Sequence, residues 1–128
     1  MNKSMKHKHY FLIEKEKKRQ QKLDKRFRQA WQDFETIVSY LIKQYRPSKI
    51  IQWGSLLDRN LFSEFSDIDI AIEGIISAEI MFQIYGDILK LSDFSVDIVQ
   101  LEKIAPEFAE IIKEKGKVIY ECKDSITY

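Results

Sequence analysis

The sequence predicts a small α/β (α+β) domain, a mixed sheet of about four strands with flanking helices behind one long N-terminal helix, and three observations carry that prediction. Apolar residues in the first third recur at three-and-four spacing, which is the repeat of a helix buried on one face. After Lys49 short stretches switch to period two, the repeat of a strand. Segments with helical spacing separate those stretches, so strands and helices alternate along the chain. A length of 128 residues suits one domain and leaves no room for a second of normal size.

The elements follow in order. From Gln20 to Tyr45 the stripe is Leu23, Phe27, Ala30, Trp31, Phe34, Ile37, Val38, Leu41 and Tyr45. Residues 1–19 form a basic segment, disordered or a continuation of the helix, since no breaker occurs before Pro47. Arg46 precedes that proline and is steered out of the helical region, so the helix should stop there. Lys49–Trp53, KIIQW, reads as a buried strand ending at Gly54. Ser55–Asp58 has the character of a short helical start, followed by a polar loop to Ser66. In Asp67–Glu73 the residues Asp67, Asp69, Ala71 and Glu73 alternate with Ile68, Ile70 and Ile72, and only a strand has that period.

Ser77 is placed to cap a helix through Leu91. Phe94–Leu101 returns to period two and carries Asp97. A last helix runs from Pro106 to Gly116 with Phe108, Ile111 and Ile112 expected on its buried side. Lys117–Glu121 closes the sheet, and the tail from Cys122 is expected to fray. The organisation is then a basic segment 1–19 and a single domain 20–128, with helix 20–45 and a core over 49–121.

Hydrophobic residues make up 45% and charged residues 32%, the balance of a globular protein rather than a disordered one. No apolar run approaches a membrane span, and Tyr10–Ile13 is too short for a signal peptide core. A single cysteine, Cys122, fits a reducing cytoplasm. The net charge of +1 conceals an asymmetry. Residues 1–28 carry 11 Lys and Arg against 3 Asp and Glu, and the remainder carries 10 against 17. A basic arm on an acidic body is open to three uses: a solvated helix start, contact with RNA, or contact with an acidic protein.

Chemistry concentrates in Trp53–Gly74. Asp67 and Asp69 leave the same face of a strand about 7 Å apart along the chain. Like charges so close call for a cation. If the Asp97 strand lies alongside, a third carboxylate joins them, and magnesium is the natural occupant of such an oxygen-rich, partly hydrated site. Gly54-Ser55, after a strand and before a helical turn, offers close backbone approach, free N–H groups and a hydroxyl to phosphate oxygens. Metal on one side and phosphate cradle on the other describe a nucleoside triphosphate site suited to nucleotidyl transfer with two metal ions.

These motifs, WGS, SDIDIAIEG and SVDIVQL, resemble those of the minimal nucleotidyltransferases of the DNA polymerase β-like superfamily, with the likeness covering about Ile50–Glu121. The resemblance implies the polymerase β-like fold, with Asp67 and Asp69 as ligands to both magnesium ions. It makes Asp97 a ligand of the catalytic ion and an aid in deprotonating the acceptor hydroxyl. Gly54 and Ser55 would hold the β- and γ-phosphates of ATP, with Arg59 the basic residue near them. The chain departs from the family at Leu56-Leu57-Asp58-Arg59-Asn60, where the relatives commonly read x-Ala-(Arg/Lys)-Gly, and its loop of 11 residues between Ser55 and Asp67 is about one residue longer. Asn60 stands where glycine is usual and tolerates the left-handed region that a tight turn there requires.

Similar minimal proteins act as antitoxins of HEPN-domain toxins by transferring AMP to a tyrosine of the toxin. The resemblance therefore implies a HEPN-domain partner as acceptor. Two other classes stay open: a non-catalytic antitoxin that neutralises its partner by occlusion, and a nucleotidyltransferase acting on RNA or a small molecule.

Overall fold

A computed structural model of the chain describes residues 3–124 and 127–128. The elements run α1 (Lys3–Tyr45), β1 (Lys49–Trp53), β2 (Ile68–Glu73), α2 (Ala78–Leu91), β3 (Val96–Gln100), α3 (Pro106–Lys115) and β4 (Lys117–Glu121). Single 3-10 turns occur at Ser55–Leu57 and Leu101–Lys103. The sheet order is β3-β2-β1-β4. β1 is antiparallel to both its neighbours, whereas β2 and β3, joined through α2, run parallel. The sheet is mixed, as the sequence predicts.

The alternation in β2 divides the two faces of the sheet. Ile68, Ile70 and Ile72, together with Ile50 and Ile98, are buried in one cluster with Phe34, Ile37 and Leu41 of α1 and Met81, Ile84 and Ile88 of α2. The opposite face carries Ile51 and Ala71, covered by Leu101 and by Ala109 and Ile112 of α3. That second cover is short: it reaches only part of the sheet and leaves the Asp69 end open. Phe34 is 2% exposed at the centre of the larger cluster. Phe34→Ala should lower stability by about 3–5 kcal/mol, read as an earlier urea midpoint with an unchanged slope.

α1 is one helix of 43 residues, about 65 Å long. Its buried apolar residues begin at Leu23, so the earlier turns, with Tyr10, Phe11, Leu12 and Ile13 exposed, contribute nothing to the core. From Lys3 onward the basic segment is thus helical. The helix stops where the Arg46-Pro47 pair requires: Arg46 takes φ 45, and its N–H donates to the carbonyls of Leu41 and Ile42 at 3.2 and 3.0 Å. Ser77 caps α2, its hydroxyl accepting from the Ile80 N–H at 3.2 Å.

Two expectations need correction. On α3 the buried residues are Ala109 and Ile112, while Phe108 and Ile111 are 43% and 47% exposed. The helix lies over the sheet by one edge and turns these two side chains into a cleft instead. The tail does not simply fray. The Cys122 N–H donates to the Ser48 carbonyl at 2.9 Å and that of Tyr128 to the Gly74 carbonyl at 2.7 Å. The Tyr128 carbonyl oxygen accepts from the N–H groups of Ile76 and Ser77. Its ring meets Tyr45 edge-on at 5.6 Å. Ser125 and Ile126 lie outside the described residues.

Candidate active site

The strand register assembles the carboxylates. Asp69 on β2 pairs with Asp97 on β3, and Ile68 and Ile70, both fully buried, clamp Asp69 from the opposite face. Asp67 precedes β2 by one residue, and the Ile68 N–H fixes that end of the strand by donating to the Ser95 carbonyl at 2.9 Å. Trp53, the register partner of Asp69 on β1, shares the same face. So do Ile51 and Ala71 further along, under α3, which leaves the acids at the uncovered end.

Asp69 is the half-buried member of the group, and its pKa is raised to about 6. Burial is the larger cause, followed by the like charges of Asp97 and then Asp67. The three like charges share this end of the sheet, and among the described residues none of them is in a salt bridge. Among the described residues no three Asp, Glu, His or Cys side chains close on a common point as a ready cation cage. An open set of oxygen donors suits magnesium, which keeps several of its waters and is held through a few carboxylates plus the phosphates of its substrate.

Gly54 touches this group directly. Its φ is 85, in the region that L residues avoid, and a methyl group added there would run into the Asp69 carboxylate. The chain then closes the 3-10 turn, with N–H donation from Leu57 to the Gly54 carbonyl at 3.2 Å and from Asp58 to the Ser55 carbonyl at 3.2 Å. Leu56, 1% exposed, pins the turn into the core and leaves Ser55 at its head.

A cleft of about 510 Å³ opens beside Gly54 and Ser55. Phe108, Ile111 and Lys115 of α3 form its far wall, and Trp53 meets Phe108 edge-on at 6.0 Å. The Trp53 indole N–H is buried and donates to no group among the described residues. Lys115 owes its place to Gly116, where any side chain would strike Ile51 and the Gln52 carbonyl, so the end of α3 comes close against β1. Sequence reasoning missed both Trp53 and Lys115 as site residues. A lysine at the end of a helix reads as a complement to the helix dipole, and nothing local says what it faces.

Arg59 stands apart from this group. Its Nε donates to Asp24 at 2.7 Å and a terminal nitrogen to the Gln20 side chain at 3.2 Å, tying the loop to α1. The loop that departs from the family is ordered by its own devices: the Asp58 carboxylate accepts from the Asn60 N–H at 2.9 Å, and Phe62 is buried edge-on to Phe27 at 5.2 Å. Among the described residues Arg46 alone of the non-glycines has positive φ, so Asn60 takes ordinary backbone and the left-handed turn is not used.

A mixed sheet sets two aspartates side by side, with a glycine-led turn against one of them. The chain belongs to the polymerase beta nucleotidyltransferase family, whose model, "Polymerase beta, Nucleotidyltransferase", matches residues 35–125. Its fold is similar to that of a chain in "Crystal structure the toxin-antitoxin MntA-HepT", at 18% identity and TM-score 0.55, over 73% of this chain and 74% of that one. It is also similar to a chain in "Crystal structure of the toxin-antitoxin with AMP-PNP", at 20% identity and TM-score 0.56, over 70% of this chain and 74% of that one. No curated protein matches the sequence. No helix among the described residues is long and apolar enough to cross a membrane.

Proposed function

We propose that the protein is a magnesium-dependent nucleotidyltransferase that moves AMP from ATP to a hydroxyl of a partner protein, and that it serves in the cytoplasm as the antitoxin of a HEPN-domain toxin. The observation that carries this reading is the register pairing of Asp69 with Asp97, with Asp67 two residues away and Gly54 against the Asp69 carboxylate. The likeness in fold to toxin–antitoxin structures, one of them with AMP-PNP, supports the choice of partner and donor.

Asp67 and Asp69 would hold both magnesium ions, and Asp97 one of them. Bound there, the ions supply Lewis-acid stabilisation of the attacking and leaving oxygens. Gly54 and Ser55 receive the β- and γ-phosphates, and Trp53 walls the cleft beside them. Arg59 reaches a phosphate only by leaving Asp24 and Gln20, so Lys115 is the cation assigned to the leaving phosphates and Arg59 the brace between loop and α1. Asp97, on the edge strand, takes the proton of the acceptor hydroxyl. The acceptor oxygen bonds to the α-phosphorus, the bond to the β-phosphate oxygen breaks, and pyrophosphate departs past Gly54.

Incubation with α-labelled ATP, magnesium and the HEPN-domain partner proposed above should label that partner, with transfer abolished by Asp67→Ala/Asp69→Ala. Equal labelling by the double variant would overturn the assignment. Full protection of cells by the same variant would favour the occlusive antitoxin instead.

A further inference from the structure

Two clefts run side by side along α1. One, of about 600 Å³, separates α1 from the Ser92–Phe94 loop and presents Lys22, Lys25, Arg26 and Lys90. The other, of about 410 Å³, separates α1 from Glu64 and presents Lys15 and Lys18. Lys22 and Arg26 line both, so the clefts form one basic groove. Among the described residues none of the lysines named here is in a salt bridge. Arg26 lies with its guanidinium 4.5 Å from the centre of the Phe94 ring, and its Nε–H is buried with no hydrogen-bond partner. Arg26 is in no salt bridge among the described residues, so its charge adds to that of the lysines and leaves the groove lining positive.

The loops that wall the groove lead toward the acids along the chain. Phe94 lies three residues before Asp97, and Glu64 three before Asp67, so both loops that wall the groove run into the strands carrying the acids. Displacement at phosphorus puts the attacking and leaving oxygens on opposite sides. In the order β3-β2-β1, pyrophosphate held at Gly54-Ser55 leaves on the β1 side, which assigns the acceptor to the β3 side. β3 is the edge strand there, and the Ser92–Phe94 loop leads into it.

We infer that this groove docks an acidic segment of the acceptor protein and brings its hydroxyl to Asp97, an inference that rests on the protein-acceptor reading above. A nucleic acid fits less well. Among the described residues Phe94 is the one ring lining either cleft, and Arg26 already stacks on it, so a base finds no open ring there. Asp93 and Glu64 also interrupt the positive lining, which opposes an unbroken run of phosphates but leaves places for carboxylates set at intervals. Asp33 is occupied by Ser92 and Gln29, at 2.6 and 2.9 Å.

The test measures fluorescence anisotropy of a labelled oligoglutamate and a labelled oligouridylate against the wild-type chain, Lys22→Gln/Lys25→Gln and Lys22→Glu/Lys25→Glu. The thermal midpoint of each serves as the check on folding. Wild type should bind oligoglutamate more tightly than oligouridylate, and the Gln and Glu pairs should weaken it progressively, the latter by at least about tenfold. In the transfer assay the Glu pair should raise KM for the HEPN-domain protein and leave KM for ATP unchanged. Oligoglutamate binding that is absent, or equal in all three proteins, or weaker than oligouridylate binding, overturns the inference. Failure of wild-type transfer with the oligoglutamate result intact overturns the protein-acceptor reading and leaves the acid-binding groove standing.

Discussion

Asp69→Asn should abolish nucleotidyl transfer, by about a thousandfold or more, and at the same time stabilise the metal-free protein at neutral pH by about 1–2 kcal/mol. The two effects share one cause. In the folded chain the Asp69 pKa is raised from 3.8 to about 6, by burial first and then by the charges of Asp97 and Asp67. Between those values the native state binds more protons than the unfolded one, so stability rises as pH falls from about 6 toward about 4. Above about 6 the penalty of the ionised group is fully present. The interval is worth about 3 kcal/mol, and solvent screening of a half-exposed carboxylate reduces it to the smaller figure. Urea unfolding in EDTA at pH 5 and pH 8 measures it: the stability lost by wild type between the two should be missing in Asp69→Asn. Magnesium should then stabilise wild type at pH 8 and leave the variant unchanged.

Gly54→Ala should cost about 2–3 kcal/mol of stability and at least about a hundredfold in transfer. The φ of 85 and ψ of −163 at Gly54 lie where essentially only glycine is found, and holding an L residue there costs about 1–3 kcal/mol. The added methyl group then strikes the Asp69 carboxylate, which must move from its place opposite Asp97. Displacing a reacting group by about an ångström is enough for the kinetic loss. A double-mutant cycle separates the two terms. In an Asp69→Ala background the clash with the carboxylate is removed, while the 3.1 Å approach to the Cβ and the backbone strain stay, so Gly54→Ala should become less costly. Purely additive stabilities would show that Gly54 and Asp69 do not meet.

The sheet was legible because isoleucine alternation in β2 leaves one choice of face, and the helices because their apolar stripes are long. Strand alternation also foretold that Ile68 and Ile70 would be core and that their acidic neighbours would share the other side. Pairing of Asp69 with Asp97 was only conditional at that level, since it depends on a register set across α2. Periodicity placed Phe108 and Ile111 on the buried side of α3. It cannot tell a helix that lies flat on a sheet from one that meets it along an edge, and here the surplus apolar surface lines the cleft. Arg59 shows a different limit. Its partner Asp24 lies 35 residues away on α1, a contact no local spacing announces. The first turns of α1 were ambiguous because a charged helix with no buried stripe has the composition of a disordered arm.

Magnesium and nucleotide are proposed to meet at Asp67, Asp69 and Asp97 opposite Gly54-Ser55. Isothermal titration of AMP-PNP into the protein tests this directly, with magnesium and with EDTA, for wild type and Asp69→Asn. Binding by wild type that requires magnesium and is lost in the variant is the predicted result. Binding of equal strength without magnesium, or undiminished in Asp69→Asn, would contradict it.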